Sequence, residues 1–465
     1  MKLNIRSFNW LTAISIVYLI LFSSLSAEHP EENIVVNLET ESPLAPLYLL
    51  PISQDPSELG EAYVEQLEKI LAFDLDHNGA TFITKRTSAG NQLGQNGPFN
   101  QLGSPSAWKA QHVFYVVKNL VEGKQLKTLL LNTQNQTLKT IDPISLTGDL
   151  NEDRRQIHRL SDTIYKALFG TEGIASTHIL FTIKTGVSTD SSKWISEVWE
   201  CDYDGGNLRQ LTKERSTCVT PIYLPPKPGF ATGAYLYVCY SQGQPKILIC
   251  SLKDEKKRRL TTIRGNQLMP AVSRQRDKVA FICDITGNPD LFMQPFSPEQ
   301  GAIGKPQQIF SARSATQGSP TFSPDGSKIA FVSNKDGSPK IYVIDVPSPG
   351  ANINEIKPML ITRANRENSA PSWSPDGTKM AYCARGNGDR QIWVYDFNTN
   401  KETQITTGKG QKENPSWAPN SLHLVYNSSD PGSSNLFITH LNQNESTQIT
   451  FGSGEKQFPN WEPRF

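Results

Sequence analysis

The sequence predicts a small α/β N-terminal domain, a mixed sheet with helices, followed by an all-β six-bladed β-propeller closed by the C-terminal strand. Three observations carry that prediction. First, a proline-led segment recurs at Pro221, Pro270, Pro320, Pro371, Pro415 and Pro459, close to the interval of about 40–50 residues at which propeller blades repeat. Second, β-branched and aromatic residues alternate with others after these prolines, as in Lys328-Ile-Ala-Phe-Val332 and Lys340-Ile-Tyr-Val-Ile344. The 3.6-residue apolar period of a helical solenoid is missing there. Third, the region ahead of Gly173 mixes helical periodicity with short strands and holds no copy of the repeat. The chain therefore divides into 1–27, 28–173 and 174–465.

The first segment reads as an export signal. Lys2 and Arg6 precede the apolar run 11–22, and Leu25-Ser26-Ala27 forms a small-residue cleavage pattern. That run is shorter than the roughly 20 residues a membrane-spanning helix needs. Ser23, Ser24 and Ser26 follow it in place of stop-transfer charges, which disfavours the rival reading, an uncleaved anchor. The whole chain carries 46 Lys+Arg against 45 Asp+Glu, so losing Lys2 and Arg6 leaves a mature protein near neutrality. A dedicated nucleic-acid binder shows a basic excess instead. With one hydrophobic stretch only, a polytopic membrane protein is excluded. Export permits disulfides, but Cys201, Cys218, Cys239, Cys250, Cys283 and Cys383 include no CxxC pair. Zinc clusters and thioredoxin-like sites are thus unsupported. The cysteines read as small buried apolar side chains; as the alternative, Cys239 and Cys250 flank a hairpin turn and face one another.

Within 28–173, Asp55-Pro56-Ser57-Glu58 offers a capping carboxylate, a first-turn proline and an acidic residue. Leu59, Tyr63, Leu67 and Ile70 then share one helical face. A second helix turns Ile157, Leu160, Ile164 and Leu168 inward and stops at Gly170, a left-handed terminator. Strands are predicted at 47–50, 81–84, 113–117, 128–131 and 138–141. The Gly/Asn/Gln/Ser stretch 89–106 reads as a mobile loop. The predicted layout puts helices on one side of a small sheet.

In the propeller, each proline starts an innermost strand, and Asp325-Gly326 or Asp376-Gly377 turns the chain into the second. The fourth unit continues through 379–383, 391–395 and 403–406. Six prolines start six inner strands, yet only five are followed by a full unit. The remaining strands lie ahead of Pro221, at 179–183, 197–201 and 208–212. Residues 458–465 supply the inner strand that they lack, so both ends of the domain share one blade. Such closure removes free sheet edges.

The Ser-Pro-Asp-Gly units, the ending Phe458-Pro459-Asn460-Trp461-Glu462-Pro463, and the junction of Ser161-Asp162, Leu168-Phe169-Gly170 and Gly173 resemble the TolB family over essentially the whole mature length. The resemblance implies a non-enzymatic periplasmic adaptor of the Tol–Pal envelope system, supporting outer-membrane integrity and constriction at cell division. It implies a propeller that binds the peptidoglycan-associated lipoprotein, Pal, and an N-terminal tail that binds the C-terminal domain of TolA. A monomer is expected, with no cofactor, no direct membrane insertion and no nucleic-acid partner. In the family, the turns just before the inner strands face the lipoprotein. Here these are Asn266, Gln267, Leu268 and Met269; Thr316, Gln317, Gly318 and Ser319; Arg366, Glu367 and Asn368; and Lys412 and Glu413. The sets differ between blades, as suits an asymmetric partner, and ordinary solvated turns are the alternative for any one residue. The tail 28–41 holds five glutamates and neither Lys nor Arg, around Ile34, Val35, Val36, Leu38 and Glu39. It suits strand addition to a partner's sheet edge; the alternatives are a frayed terminus or permanent packing on its own domain. Unlike the family's tails, it has no glycine before Pro43.

No catalytic or metal site is predicted. G-x-S-x-G, HExxH, P-loop and GxGxxG patterns are all missing. His158 lies beside the apolar stripe of its helix, as a hydrogen-bonded structural histidine would. A propeller-gated hydrolase or a small-ligand-binding propeller is the alternative function.

Overall fold

The structure is a computed structural model and describes residues 44–54, 58–187, 190–226, 232–386, 388–443 and 445–464. The expected export signal, the tail residues Ile34, Val35, Val36, Leu38 and Glu39, and the capping residues Asp55, Pro56 and Ser57 lie outside these. The N-terminal region holds a mixed sheet running Thr81–Ile83, Ala45–Leu49, Tyr115–Glu122, Gln125–Asn132, Thr137–Ser145, with Ser53–Gln54 also paired to Tyr115–Glu122. The strands joined through Ala45–Leu49 are parallel, and the last three are antiparallel.

Two long helices cover one face of this sheet. Helix α1, Glu61–Asp76, begins after Gly60, which makes no side-chain cap bond, and Leu59 is buried just ahead of it. Helices α2, Ser88–Gln95, and α3, Pro105–Lys109, lie within or beside the stretch predicted as a loop. Helix α4, Leu150–Phe169, is capped by Asp149 and ends at Gly170 with φ 77°. Val64, Leu67 and Leu71 of α1 and Ile157, Leu160 and Ile164 of α4 pack on Leu47, Leu49, Val117 and Leu130. The opposite face is covered too, which corrects both the loop and the one-sided layout. Thr87 Oγ1 caps α2 by accepting from Gly90 N at 3.0 Å. A Cβ on Gly90 or Gly94 would come within 2.6 Å of Tyr48 or 2.4 Å of Leu50. These glycines thus let α2 approach the sheet closely, while Leu102 and Trp108 complete the packing. Polar composition concealed that role.

Six sheets follow in a ring. Five are contiguous, with inner strands Cys218–Tyr223, Gln267–Val272, Gln317–Phe322, Glu367–Trp373 and Gln411–Trp417; they are blades 1 to 5. Blade 6 joins Glu455–Trp461 to His178–Val187, Asp190–Asp202 and Arg209–Gln210. Its closing register pairs Lys456 with Ile183 and Trp461 with Ile179. The six-fold ring closed by the C-terminal strand is therefore present. Apolar residues alternate so that each buried cluster bridges two neighbouring blades. One such cluster sets Leu180 and Val198 of blade 6 against Tyr223, Tyr235 and Tyr237 of blade 1. Another sets Ala381 and Ile392 of blade 4 against Trp417 and Leu424 of blade 5.

All six cysteines are buried and free. The hairpin register sets Cys250 opposite Tyr235 and Cys239 opposite Lys246. Cys239 and Cys250 therefore sit at opposite ends of the hairpin, not face to face.

Candidate functional site

The six repeated prolines all sit inside inner strands. Proline has no N–H for the ladder, so a strand accommodates it at a bulge. Each inner strand shifts register there, between Val219 and Ile222, Leu268 and Ala271, and at the equivalent positions around the ring. The residue before each proline takes a left-handed backbone: Thr220 (φ 48°), Met269 (52°), Ser319 (45°), Ala370 (51°), Asn414 (54°) and Phe458 (54°). A non-glycine residue in this region costs about 1–3 kcal/mol and persists where its surroundings over-determine it. Here the ring supplies that constraint. The six residues line a central cavity of about 320 Å³, together with the prolines that follow them. Hydrogen bonds tie its wall across blades: Tyr223 N donates to Asn460 Oδ1 at 2.8 Å, and Trp417 Nε1 to Ser372 O at 3.0 Å. Met269 Sδ lies 3.1 Å from Ser319 N.

Of the residues selected from the sequence as turns ahead of the inner strands, only Asn266, Thr316 and Arg366 precede a strand. Gln267, Leu268, Met269, Gln317, Gly318, Ser319, Glu367, Asn368, Lys412 and Glu413 lie in the first residues of the inner strands themselves, at the mouth where those strands begin. Four of them point their side chains into the protein. Gln267 Nε2 donates to Ile263 O at 2.7 Å, and Gln317 Oε1 accepts from Ser333 Oγ at 2.7 Å. Asn368 Nδ2 donates to Asn365 O at 3.0 Å. Lys412 Nζ donates to Lys409 O at 2.7 Å and to Gly410 O at 3.2 Å, and burial pulls its ammonium down from the ordinary lysine range. These four tie the beginnings of their inner strands to neighbouring carbonyls and a hydroxyl. Thr316 and Arg366 are exposed, and Asn266, Leu268, Met269, Gly318, Ser319, Glu367 and Glu413 are half-buried. Arg390 Nη1 pairs with Glu413 Oε1 at 2.8 Å and links blade 4 to blade 5. Between these loops, Arg366, Glu367, Arg385 and Asp389 line a polar cleft.

The opposite end of the ring meets the N-terminal region, within one compact unit. His77 Nε2 lies 3.0 Å from Thr447 Oγ1, and His423 Nε2 lies 2.9 Å from His77 O. Asn442 Nδ2 donates to Gly79 O at 3.1 Å. Burial drives His423 far below the ordinary histidine value, and holds His440 beside it at about 4. A charged network completes the seam. His158 Nδ1 of α4 lies 2.9 Å from Asp74 Oδ2 of α1, and His158 Nε2 lies 3.4 Å from Asp202 Oδ2 of blade 6. Arg154 Nη2 donates to Asp204 Oδ1 at 2.6 Å, and the Tyr203 hydroxyl donates to Asp74 Oδ1 at 3.0 Å. Burial opposes charge on His158, but Asp74, Asp202 and Asp204 prevail and push it up to about 10. Burial is the largest influence on Asp74 and raises its carboxyl, against the pull of His158. Asp74, His158 and Asp204 are close enough together to ligate a metal. The guanidinium of Arg154 and the imidazolium of His158 already balance those carboxylates, so the geometry reads as an ionic clamp.

Sequence reasoning picked out the beginnings of four inner strands, Met269 and Ser319 among them, but passed over Thr220, Ala370, Asn414 and Phe458. The prolines carried the missing signal, because a proline repeated inside a strand demands a repeated bulge. Of the clamp, the sequence singled out only His158, as a hydrogen-bonded structural histidine, and its Nδ1 does lie 2.9 Å from Asp74 Oδ2; nothing local flagged the partners at 74, 154 and 202–204. Among the described residues, no helix is long and apolar enough to cross a membrane.

A family model described as the TolB beta propeller domain matches residues 165–465. The chain is 56% identical over 375 residues to a TolB homolog of Protochlamydia amoebophila, covering 81% of this chain and 80% of that one. It is 44% identical over 281 residues to a TolB homolog of Chlamydia abortus, covering 60% of this chain and 62% of the relative. The crystal structure of TolB from Acinetobacter baumannii matches with a TM-score of 0.72 at 21% identity, covering 90% of this chain and 97% of that one. That structural likeness is one of fold.

Proposed function

Because this chain belongs to the TolB family, we propose that it is a non-enzymatic adaptor of the Tol–Pal system, exported to the periplasm with residues 1–27 removed. Its propeller mouth binds the peptidoglycan-associated lipoprotein, and its acidic tail, through Ile34, Val35, Val36, Leu38 and Glu39, binds the C-terminal domain of TolA. In this role it supports envelope integrity and constriction at division. The observation that carries the reading is the asymmetry of the ring's two ends. One end is seated on the N-terminal region through His77, His423 and Asn442. The other carries Thr316, Arg366 and the half-buried mouth residues around a funnel held open by six strained positions. A rigid wall of this kind binds without spending affinity on ordering its own loops.

The test is titration of the soluble domain of the lipoprotein into the mature protein by calorimetry. Combined Thr316→Arg and Arg366→Glu substitutions at the mouth are expected to weaken binding about tenfold, or about 1.4 kcal/mol. Ser327→Lys, on an exposed turn at the other end of the ring, is expected to leave it unchanged. Equal affinity in all three proteins refutes the assigned face. Deleting 28–41 is expected to abolish capture by the TolA domain, and unaltered capture refutes the tail assignment.

A further inference from the structure

We propose that Cys218 and Cys239 are a disulfide-forming pair that staples the inner strand of blade 1 to its neighbour. The observation is positional. Cys218, on Cys218–Tyr223, stands directly opposite Cys239, on Ala234–Cys239, in an antiparallel register. Tyr240 N donates to Thr217 O at 3.0 Å, which makes 217 and 240 a hydrogen-bonded pair. The next pair, 218 with 239, therefore occupies the non-hydrogen-bonded site, where Cα atoms approach to about 4.5 Å and side chains lie closest. That separation falls inside the range disulfides span. The two sulfurs are 3.7 Å apart. Rotation about the side-chain bonds is sufficient to bring them toward the roughly 2.05 Å of a sulfur–sulfur bond. The other cysteines nearby face oxygen instead. Cys250 Sγ contacts Glu255 O at 3.5 Å, Cys283 Sγ contacts Arg264 O at 3.4 Å, and Cys383 Sγ contacts Ser369 Oγ at 2.9 Å.

The surroundings also distinguish the two thiols. Cys239 Sγ accepts from Ser241 N at 3.4 Å and lies 3.2 Å from Ser241 Oγ. The hydrogen bond from the Cys218 thiol, then these Ser241 contacts, draw Cys239 below the ordinary thiol range, against the opposing effect of burial. Cys239 is therefore the nucleophile, since the thiolate is the reactive form. Cys218 keeps its proton until the second step, when solvent takes it; the Glu197 carboxylate of blade 6 comes to 3.9 Å only once the ring has closed. Both sulfurs are buried once the blade is packed, so the exchange belongs to the folding chain, before blade 6 closes over the site. The oxidant is a disulfide, either a thiol–disulfide oxidoreductase or a small-molecule disulfide. The Cys239 thiolate attacks one sulfur of it, forming a mixed disulfide and releasing the first thiolate. Cys218, as its proton leaves, attacks the Cys239 sulfur, closes the internal bond and expels the second thiolate. Two protein thiols lose two electrons and two protons, and the external disulfide is reduced to two thiols.

The test refolds the full mature chain with a mixture of reduced and oxidised glutathione, then blocks free thiols with a maleimide in denaturant. Four blocked cysteines are expected, with an intact mass lower by two hydrogens before blocking. Chymotryptic peptides containing Cys218 and Cys239 should be joined until reductant is added. Cys250→Ala, which removes the other cysteine of the same hairpin, is expected to retain the bond. Cys218→Ser and Cys239→Ser are each expected to lose it. Six blocked cysteines in the refolded, soluble parent overturn the proposal, and so does a bond that includes any other cysteine. The assay requires neither lipoprotein nor TolA, so its outcome is independent of the adaptor reading.

Discussion

Replacing His158 by glutamine tests whether the seam between the two regions is held by charge. His158 is 2% exposed and Asp74 is fully buried, so the substitution leaves a buried carboxylate with the Tyr203 hydroxyl at 3.0 Å as its remaining strong donor. Removing one partner of a buried ion pair destabilises by about 3–5 kcal/mol. The displacement of His158 from 6.5 to about 10 corresponds to roughly 5 kcal/mol favouring the imidazolium. The raised carboxyl of Asp74 offsets part of that gain. At about 2 °C per kcal/mol for a large domain, the melting midpoint should fall by at least about 6 °C at neutral pH. The pH dependence has a definite sign. His158 is more basic folded than unfolded, so its contribution is complete below about pH 6.5 and is lost as pH rises through about 10. His440, held at about 4, behaves oppositely: its contribution is present above about pH 6.5 and is lost as pH falls toward 4. The combined contribution of these two groups is greatest near pH 6.5. Melting of the parent and the variant, followed by circular dichroism from pH 5 to 10.5, should show the gap narrowing progressively from about pH 6.5 to about 10. A midpoint within about 1 °C of the parent at pH 6.5, or a gap independent of pH, refutes the clamp.

Other perturbations probe the ring itself. Deleting 458–465 removes Trp461, which is 2% exposed and donates through Nε1 to Thr177 Oγ1 at 2.8 Å. It also removes the Arg464 bonds to Gly173 and Asp162. Loss of Trp461 packing alone costs about 3–5 kcal/mol, so limited proteolysis should cut the opened blade 6 rapidly; parental resistance refutes closure by this strand. Gly205→Ala forces a side chain to φ 87° with its Cβ 1.8 Å from the Ile449 carbonyl, whereas Gly243 has a similar φ of 83° and open space around it. Gly243→Ala should lose only about 1–2 kcal/mol in urea unfolding, the ordinary left-handed penalty. Gly205→Ala should lose clearly more, and equal losses refute the close contact between blades 5 and 6.

Much of the architecture was legible in local sequence. Pro320-Thr-Phe-Ser-Pro-Asp-Gly326 and its relatives specify a strand, a bulge and a turn through neighbouring residues alone, so counting them yields six blades. The surplus strands ahead of Pro221 and the lone inner strand at the end likewise predict closure, because an unpaired edge requires a partner. Helix α4 was visible through Ile157, Leu160, Ile164 and Gly170 for the same reason. Helix α2 was not, because its glycines matter only against Tyr48 and Leu50, some forty residues earlier. The residues chosen as mouth turns fall mostly inside the first positions of the inner strands, and their side chains divide: Gln267, Gln317, Asn368 and Lys412 satisfy buried carbonyls and hydroxyls instead of facing out.

The sequence by itself determined the repeat and the number of blades, since these rest on turn and strand chemistry between residues close in the chain. It located the ring's closure by count, because one inner strand at the end matches a blade that lacks one near the start. Tertiary structure alone decided the pairing of Cys218 with Cys239, the left-handed ring around the cavity, and the clamp of Asp74, Arg154, His158, Asp202 and Asp204. Those depend on strand register and on charges brought together from distant segments, and the strength of such charges is set by burial that no short stretch of sequence encodes.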